Sequence, residues 1–126
     1  MERLLWVCLG GAAGTAARYA IAIWAAARFG TAFPVGTAIV NLSGCFVMAF
    51  LMSVAVTAGW PDTVRIALTT GVLGGFTTYS SFNQETMRLV IDGAPSRAAL
   101  YVGLTFTGGL AAGWLGLLCG RLLGGR

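Results

Sequence analysis

Apolar residues fill four long stretches of the chain, and charged side chains mark the points where one stretch ends and the next begins. The only charge between Arg3 and Arg28 is Arg18, and three later windows carry none: residues 29–61, 66–84 and 98–120. A transmembrane helix needs roughly 20 mainly apolar residues, which each stretch supplies. The pattern predicts an all-α integral membrane protein with four spanning helices in a single domain, residues 1–126, with approximate spans 4–27, 34–58, 63–90 and 97–120.

Turn-forming residues separate the predicted helices. Glycine and proline occur in each connection, at residues 28–34, 59–62 and 92–96. Proline cannot continue a helix and glycine commonly ends one. Such short loops leave no room for a soluble domain, so we expect the protein to act within the bilayer, with Trp60 and Tyr101 at interfacial depth.

Composition narrows the possible functions. Hydrophobic residues make up 57% of the chain and charged residues 10%, whereas a soluble domain carries about 25% charged residues. This excludes a secreted disulfide scaffold and a disordered tail, and we expect a lipid bilayer but no nucleic acid as a partner. The chain has no histidine, no carboxylate pair and no serine with a base, so we predict that it is not an enzyme.

The N-terminal segment has some features of a signal peptide, because Arg3 precedes a short apolar run and then small residues. The apolar stretch resumes after Arg18, however, which favours one continuous helix. The three cysteines, Cys8, Cys45 and Cys119, lie in apolar stretches without CxxC spacing, so we interpret them as packing residues.

The arginines give almost no orientation signal. Four spans place both termini on one side, which sets four arginines (Arg3, Arg65, Arg121, Arg126) against three (Arg28, Arg88, Arg97). The positive-inside rule needs an excess of Arg or Lys on one side. The balance predicts insertion in both orientations and antiparallel pairing, with a weakly biased single orientation as the alternative.

Glycines favour close helix packing, since lipid gives helices no hydrophobic reason to associate. The chain has 19 of them, and GxxxG spacing occurs at Gly10/Gly14, Gly71/Gly75, Gly109/Gly113 and Gly116/Gly120. The motif is common in membrane proteins. It therefore predicts a compact bundle or an oligomer and does not indicate a substrate.

The third stretch has paired glycines, Gly74 and Gly75, followed by hydroxyl and aromatic residues up to Glu85. Helix propensity is poor there and polar groups are expensive at membrane depth. We predict a break near residues 74–78, where freed carbonyls can hold a cation. The alternative is a glycine-kinked helix whose Ser and Thr hydroxyls bond to the carbonyl four residues earlier.

Three polar residues stand out among the apolar ones. The amide of Asn41 could join two helices, or its NH2 group could donate to an anion without adding a charge. Arg18 is expected to face a vestibule or the dimer contact, unless it snorkels to the headgroups. Glu85 is expected to pair locally with Arg88, three residues on, or to lie near the mouth of a transport pathway.

Taken together, these motifs resemble one known family over essentially the whole chain. The matching segments are GGAAGTAARY (residues 10–19), GTAIVNLSG (residues 36–44) and GGFTTYSSF (residues 74–82), followed by Glu85. The family is that of the small dual-topology fluoride channels called Fluc or CrcB. The combination is specific, although each segment alone would be weak.

The resemblance implies an antiparallel homodimer in a bacterial inner membrane, with two pores for passive fluoride efflux. It also implies a central structural sodium ion (Na+) held by main-chain oxygens at the break, here those of Gly74 and Thr77. The implied fluoride pathway is lined by Asn41, Tyr79 and Phe82, with a polar track of Ser80 or Ser81 and Thr105.

Two positions depart from the family pattern. Tyr79 stands where phenylalanine is usual, which adds a hydroxyl beside the implied pathway. Gly109 stands where a second hydroxyl residue would follow Thr105 after one turn, which thins the track. The remaining chemistry suits fluoride, because amide, hydroxyl and aromatic-edge groups can replace its water without binding it too tightly.

A small dual-topology multidrug exporter is the alternative, since it would share the size, helix count and weak charge bias. Such an exporter needs an embedded carboxylate, whereas the four acids lie at or near predicted helix ends: Glu2, Asp62, Glu85 and Asp92. A non-conducting helper subunit would leave the amide, hydroxyl and aromatic residues without a purpose. The sequence therefore favours a fluoride channel.

Overall fold

All regular elements are helices in the computed structural model, which describes residues 1–124. Helix α1 covers Glu2–Phe29 and α2 covers Val35–Thr57. Both are long, continuous α-helices joined by a short loop. The predicted all-α fold is confirmed for the described residues.

The second half of the chain contains three further helices. Helix α3, residues 62–76, begins as an α-helix (Asp62–Ile66), continues as a π-helix (Ala67–Leu73) and ends in one turn (Gly74–Phe76). Helix α4 covers Tyr79–Ile91 and α5 covers Pro95–Gly124. The π-helical segment had no counterpart in the sequence predictions.

Glycines with positive φ end three of the helices. Gly30 (φ 75°) follows α1, Gly59 (φ 62°) follows α2 and Gly93 (φ 76°) follows α4. A positive φ turns the chain out of the helix and carries no steric penalty at glycine. The loops therefore stay short, as the turn residues in the sequence indicate.

Three helices, α1, α2 and α5, are each long and apolar enough to cross a membrane. Large apolar side chains are exposed along α1 and α5, including Trp24 and Trp114, as expected of surfaces that face lipid. The protein is therefore a multi-pass membrane protein. Arg126, which entered the predicted arginine balance, lies outside the described residues.

Helices α1 and α3 lie side by side in the same direction and touch through glycines. A Cβ added at Gly10 would lie 2.7 Å from the Ala67 carbonyl oxygen, and one at Gly71 would lie 3.0 Å from the Val7 oxygen. A Cβ at Gly75 would overlap the Gly11 carbonyl. Two of the four GxxxG pairs thus bring these backbones together within the protomer.

Helices α2 and α5 form the second parallel pair. Gly108 packs against Leu42, and Gly116 packs against the backbone of Phe46. A Cβ at Gly120 would lie 2.6 Å from the Ser53 Cβ. The glycines of α5 therefore also serve packing inside one copy of the chain, and α4 is left to close the bundle against α2 and α5.

Candidate functional site

Helix α3 ends at Phe76 and α4 begins at Tyr79, with two extended threonines between them. Thr77 has φ −78° and ψ 155°, and Thr78 has φ −152° and ψ 118°. The Thr77 N–H still donates to the Leu73 carbonyl at 3.0 Å, which closes the last turn of α3. The carbonyls of residues 74–77 lose the donors that a continuous helix would give them four residues on.

Only one of these four carbonyls accepts a hydrogen bond within the described chain. The Gly75 oxygen accepts from Arg18 Nε at 3.1 Å and from Thr15 Oγ1 at 3.4 Å, both on α1. The remaining oxygens, those of Gly74, Phe76 and Thr77, have no protein donor among residues 1–124. Two of these three belong to the residues that the family resemblance implies as sodium ligands.

The Asn41 side chain of α2 holds the extended segment with both ends of its amide. Nδ2 donates to the Thr78 carbonyl at 3.0 Å, and Oδ1 accepts from the Thr78 N–H at 2.9 Å. Only this orientation of the amide satisfies both bonds. Because the amide nitrogen carries two N–H donors, one of them is not used by Thr78. Asn41 thus joins α2 to the extended segment and keeps one donor.

Three hydroxyls gather at the first turn of α4. The Ser81 N–H donates to Thr78 Oγ1 at 3.2 Å, so Thr78 is the N-cap of α4. Thr78 Oγ1 donates to Ser81 Oγ at 3.1 Å and lies 3.3 Å from Ser80 Oγ. Thr77 behaves differently, since its hydroxyl donates to the Leu73 carbonyl at 2.9 Å. Ser80 is exposed on the protomer surface, whereas Ser81 is half-buried.

Glu85 of α4 is bonded to α2 and α5. Its Oε1 accepts from Thr37 Oγ1 at 2.8 Å, and its Oε2 accepts from the Tyr101 hydroxyl at 2.7 Å. The expected local pair with Arg88 is therefore wrong. Arg88 instead has its Nε 3.6 Å from Asp92 Oδ2, one turn further along. Two neutral donors from neighbouring helices hold the carboxylate, which fixes its orientation without neutralising its charge.

Three aromatic rings form a row beside these polar groups. The Phe82 ring centroid lies 5.9 Å from that of Tyr79 and 5.1 Å from that of Tyr101. Tyr101, at one end of the row, is 0% exposed and therefore lies in the interior of the bundle. Tyr79, at the other end, is 80% exposed on the protomer surface. The row therefore leads from the interior to a surface that none of residues 1–124 covers.

The Thr105 hydroxyl on α5 is buried and has no hydrogen-bond partner among the described residues. Most buried hydroxyls in proteins do have one, so this oxygen is exceptional. Thr107, two residues on, donates to the Gly103 carbonyl of its own helix at 2.6 Å. Of these two threonines, Thr105 is the one with a free hydroxyl to offer to a ligand.

Sequence reasoning missed Thr37 and the polar role of Tyr101. The available signal was helical spacing, because Thr37 precedes Asn41 by four residues and Tyr101 precedes Thr105 by four. Residues four apart lie on the same helix face. Both missed residues therefore belong to faces that the sequence analysis had already selected.

A cavity of about 370 Å³ opens beside Glu85 at the end of the bundle that holds the α1–α2 and α4–α5 loops. Charged side chains of both signs line it, including Arg88, Asp92 and Arg97. Glu85 and Thr37 therefore border a charged cavity at this end of the bundle.

The described residues contain no group of three or more His, Cys, Asp or Glu side chains that could hold a metal ion. A cation near the interrupted helix would therefore depend on main-chain and hydroxyl oxygens. Unwound backbone carbonyls in membrane proteins do bind Na+ in this way. The donor set fits an alkali cation and does not fit zinc or another transition metal.

The fold and these groups define a small multi-pass helical membrane protein with mainly neutral polar side chains gathered around an extended segment. Residues 5–117 match the family model described as CrcB-like protein, Camphor Resistance (CrcB). The chain belongs to this family, which confirms the resemblance of its motifs.

Curated relatives match the chain over nearly its whole length. The Fluoride-specific ion channel FluC of Anaeromyxobacter dehalogenans is 48% identical over 126 residues, which cover 99% of this chain and 100% of the relative. The protein of the same name from Sorangium cellulosum is 45% identical over 124 residues, with 98% of each chain covered. That from Chloroflexus aurantiacus is 43% identical over 126 residues, with 99% and 100% covered.

Proposed function

We propose that this protein is a fluoride-selective channel through which fluoride leaves the cell passively, giving fluoride resistance. The observation that carries the proposal is the likeness, up to 48% identity over nearly the whole chain, to relatives named fluoride-specific ion channels. The neutral donors near the extended segment support it. Fluoride holds its water strongly, so a pore must offer hydrogen-bond donors in exchange.

The proposed pathway is lined by Asn41, Tyr79, Phe82 and Thr105, with Ser80 or Ser81 beside them. Asn41 supports this role with the N–H that Thr78 does not use, and Thr105 supports it with its unpartnered hydroxyl. The edges of the aromatic rings are positive and can face an anion. We place Glu85 and the charged cavity at the pathway mouth.

The proposed working unit is an antiparallel homodimer with two pores. Within residues 1–124, three arginines lie at each end of the bundle, so the positive-inside rule gives no preferred orientation. Tyr79 is 80% exposed although it lies near the middle of the pass that α3 and α4 would make together. A phenol is poorly suited to hydrocarbon, and a second copy of the chain would cover it.

The third part of the proposal is a structural Na+ between the two copies. The Gly74 and Thr77 carbonyls would hold it, two from each copy, and both oxygens lack a protein donor within the described protomer. An ion bound there raises the local electrostatic potential without contacting fluoride.

Fluoride release from liposomes tests the function. We expect vesicles loaded with potassium fluoride and carrying the purified protein to release fluoride rapidly once valinomycin allows potassium to follow, as read with a fluoride electrode. Matched vesicles loaded with potassium chloride should release almost no chloride. Folded protein that releases neither anion, or both at similar rates, would remove the proposed function.

The exporter alternative gives a different result in the same vesicles. A proton-coupled exporter would use Glu85, the acid that reaches furthest into the bundle, as its carboxylate. It would move an organic cation against an imposed pH gradient and leave fluoride in place.

Sodium removal tests the structural ion. When sodium is replaced by N-methyl-D-glucamine, we expect the purified dimer to melt at a lower temperature, because four carbonyls at membrane depth lose their ligand. Adding back sodium chloride should restore the melting temperature, whereas potassium chloride at equal ionic strength should not. Equal melting temperatures in all three salts would contradict the proposed structural sodium ion.

A further inference from the structure

Arg18 is engaged inside the protomer through a single main-chain oxygen. Its Nε donates to the Gly75 carbonyl of α3 at 3.1 Å, and Thr15 Oγ1 approaches the same oxygen at 3.4 Å. The glycine contacts between α1 and α3 make this reach possible, since a Cβ at Gly75 would overlap the Gly11 carbonyl. The charged side chain of Arg18 thus supplies a hydrogen-bond donor to a backbone carbonyl within the membrane span.

A second donor, four residues further along the chain, could compete with Arg18 for the Gly75 carbonyl. In a continuous helix this carbonyl would accept from the Tyr79 N–H, four residues on. Forming that bond would draw Thr77 and Thr78 into helical geometry and return a donor to the Gly74 carbonyl as well. The Arg18 Nε–H on the Gly75 oxygen opposes this closure, because the oxygen already has a hydrogen-bond donor.

The other flank of the extended segment is held in the same manner. Asn41 binds both the N–H and the carbonyl of Thr78, which keeps that N–H away from the Gly74 carbonyl. Two side chains from different helices therefore hold Gly75 and Thr78. Gly74 directly precedes Gly75, and Thr77 directly precedes Thr78. The carbonyl oxygens of these two preceding residues accept no hydrogen bond within residues 1–124.

We propose that Arg18 is a positioning residue for the cation site: by holding the Gly75 carbonyl it keeps α3 from continuing into α4 and leaves the Gly74 and Thr77 oxygens available to Na+. The inference rests on the sodium part of the proposed function. It differs from a role in which the charge of Arg18 attracts fluoride, since it assigns the effect to the hydrogen bond.

Two substitutions separate the hydrogen bond from the charge. In Arg18→Gln, the amide Nε2 is as many bonds from Cα as the arginine Nε, so the donor is kept and the charge is lost. In Arg18→Met, a methyl group takes that position, so the length is kept and both donor and charge are lost. If the hydrogen bond matters, the two variants differ; if the charge matters, they behave alike.

The sodium dependence of melting is the measurement. The purified dimer is melted over a series of sodium chloride concentrations, with N-methyl-D-glucamine chloride keeping the ionic strength constant. We expect Arg18→Gln to reach its half-maximal stabilisation at a sodium concentration close to that of the wild type. Arg18→Met should need about tenfold more sodium, since the hydrogen bond to the Gly75 carbonyl is lost.

The outcomes separate this inference from the proposed function. If the wild type responds to sodium and Arg18→Met responds at the same concentration, the inference is overturned while the sodium site stands. Equal losses in Arg18→Gln and Arg18→Met assign the effect to charge and also overturn it. A wild type without any sodium response removes the sodium site and the inference together.

A milder variant covers the case in which Arg18→Met does not fold. Thr15→Val keeps the side-chain shape but removes the second, longer bond to the Gly75 oxygen. We expect it to raise the required sodium concentration about threefold, a smaller effect than for Arg18→Met because the bond from Thr15 is longer, 3.4 Å against 3.1 Å. An unchanged sodium dependence in this variant would count against the proposed positioning.

Discussion

The Asn41→Asp variant is expected to lose at least about 99% of its fluoride flux. Aspartate would place a carboxylate oxygen where Nδ2 now donates to the Thr78 carbonyl, so two acceptors would face each other at 3.0 Å. It would also replace the unused N–H by a negative charge on the proposed anion pathway. Repulsion between a carboxylate and an anion about 4 Å away costs about 4 kcal/mol at an effective dielectric constant of about 20, and adding that energy to the transport barrier slows the flux more than about 100-fold.

Flux per folded dimer in liposomes is the quantity to compare, with the amount of dimer set by size-exclusion chromatography. Ser43→Ala is the matched control, because Ser43 is a polar residue of the same helix whose hydroxyl donates at 2.6 Å to the Ile39 carbonyl of that helix. We expect it to conduct at the wild-type rate. Wild-type flux in Asn41→Asp would take Asn41 out of the pathway.

The Gly14→Ala variant is expected to lose most of its folded protein, with a destabilisation of about 3 kcal/mol or more. A Cβ at Gly14 would overlap the Val72 carbonyl oxygen and would lie 2.9 Å from the Phe76 nitrogen. Both are backbone atoms and cannot turn aside as a side chain could. Helices α1 and α3 would therefore have to separate, and Arg18 would move away from the Gly75 carbonyl.

Gly11→Ala is the control for this variant, since it has the same chemistry on the same helix. Its added Cβ would meet only the Gly71 oxygen, at 3.9 Å, which is an ordinary contact. Both variants gain helix propensity of about 1 kcal/mol, so their difference isolates packing. The yield of monodisperse protein and its melting temperature measure the effect. Similar values for Gly11→Ala and Gly14→Ala would contradict the packing argument.

Most of the helical layout could be predicted from local features. The apolar stretches and the Gly and Pro positions indicate where the helices begin and end. The seven-residue π-helix in α3 could not be predicted, because no residue type demands it. The GxxxG pairs predicted that helices pack closely, but not which helices do so. The structure pairs α1 with α3 and α2 with α5 inside one protomer.

The candidate site was predictable in its residues and much less so in their contacts. Asn41 was selected as an amide among apolar neighbours, yet only the fold gives it the Thr78 peptide as a partner. Spacing along one helix suggested Arg88 for Glu85, whereas the fold brings Thr37 and Tyr101 closer. The carboxylate faces the bundle, so donors from other helices reach it first.

The sequence by itself determined that this chain is a helical membrane protein, which family it belongs to and which polar residues are worth attention. These properties depend on apolar length, turn residues and motif spacing, all of which act over a few neighbouring residues. The tertiary structure decided which carbonyls at residues 74–77 have donors and which side chains hold Glu85 and Thr78. Such contacts require donor and acceptor atoms on different helices to lie about 3 Å apart. How closely the helices approach one another at their glycines sets that distance.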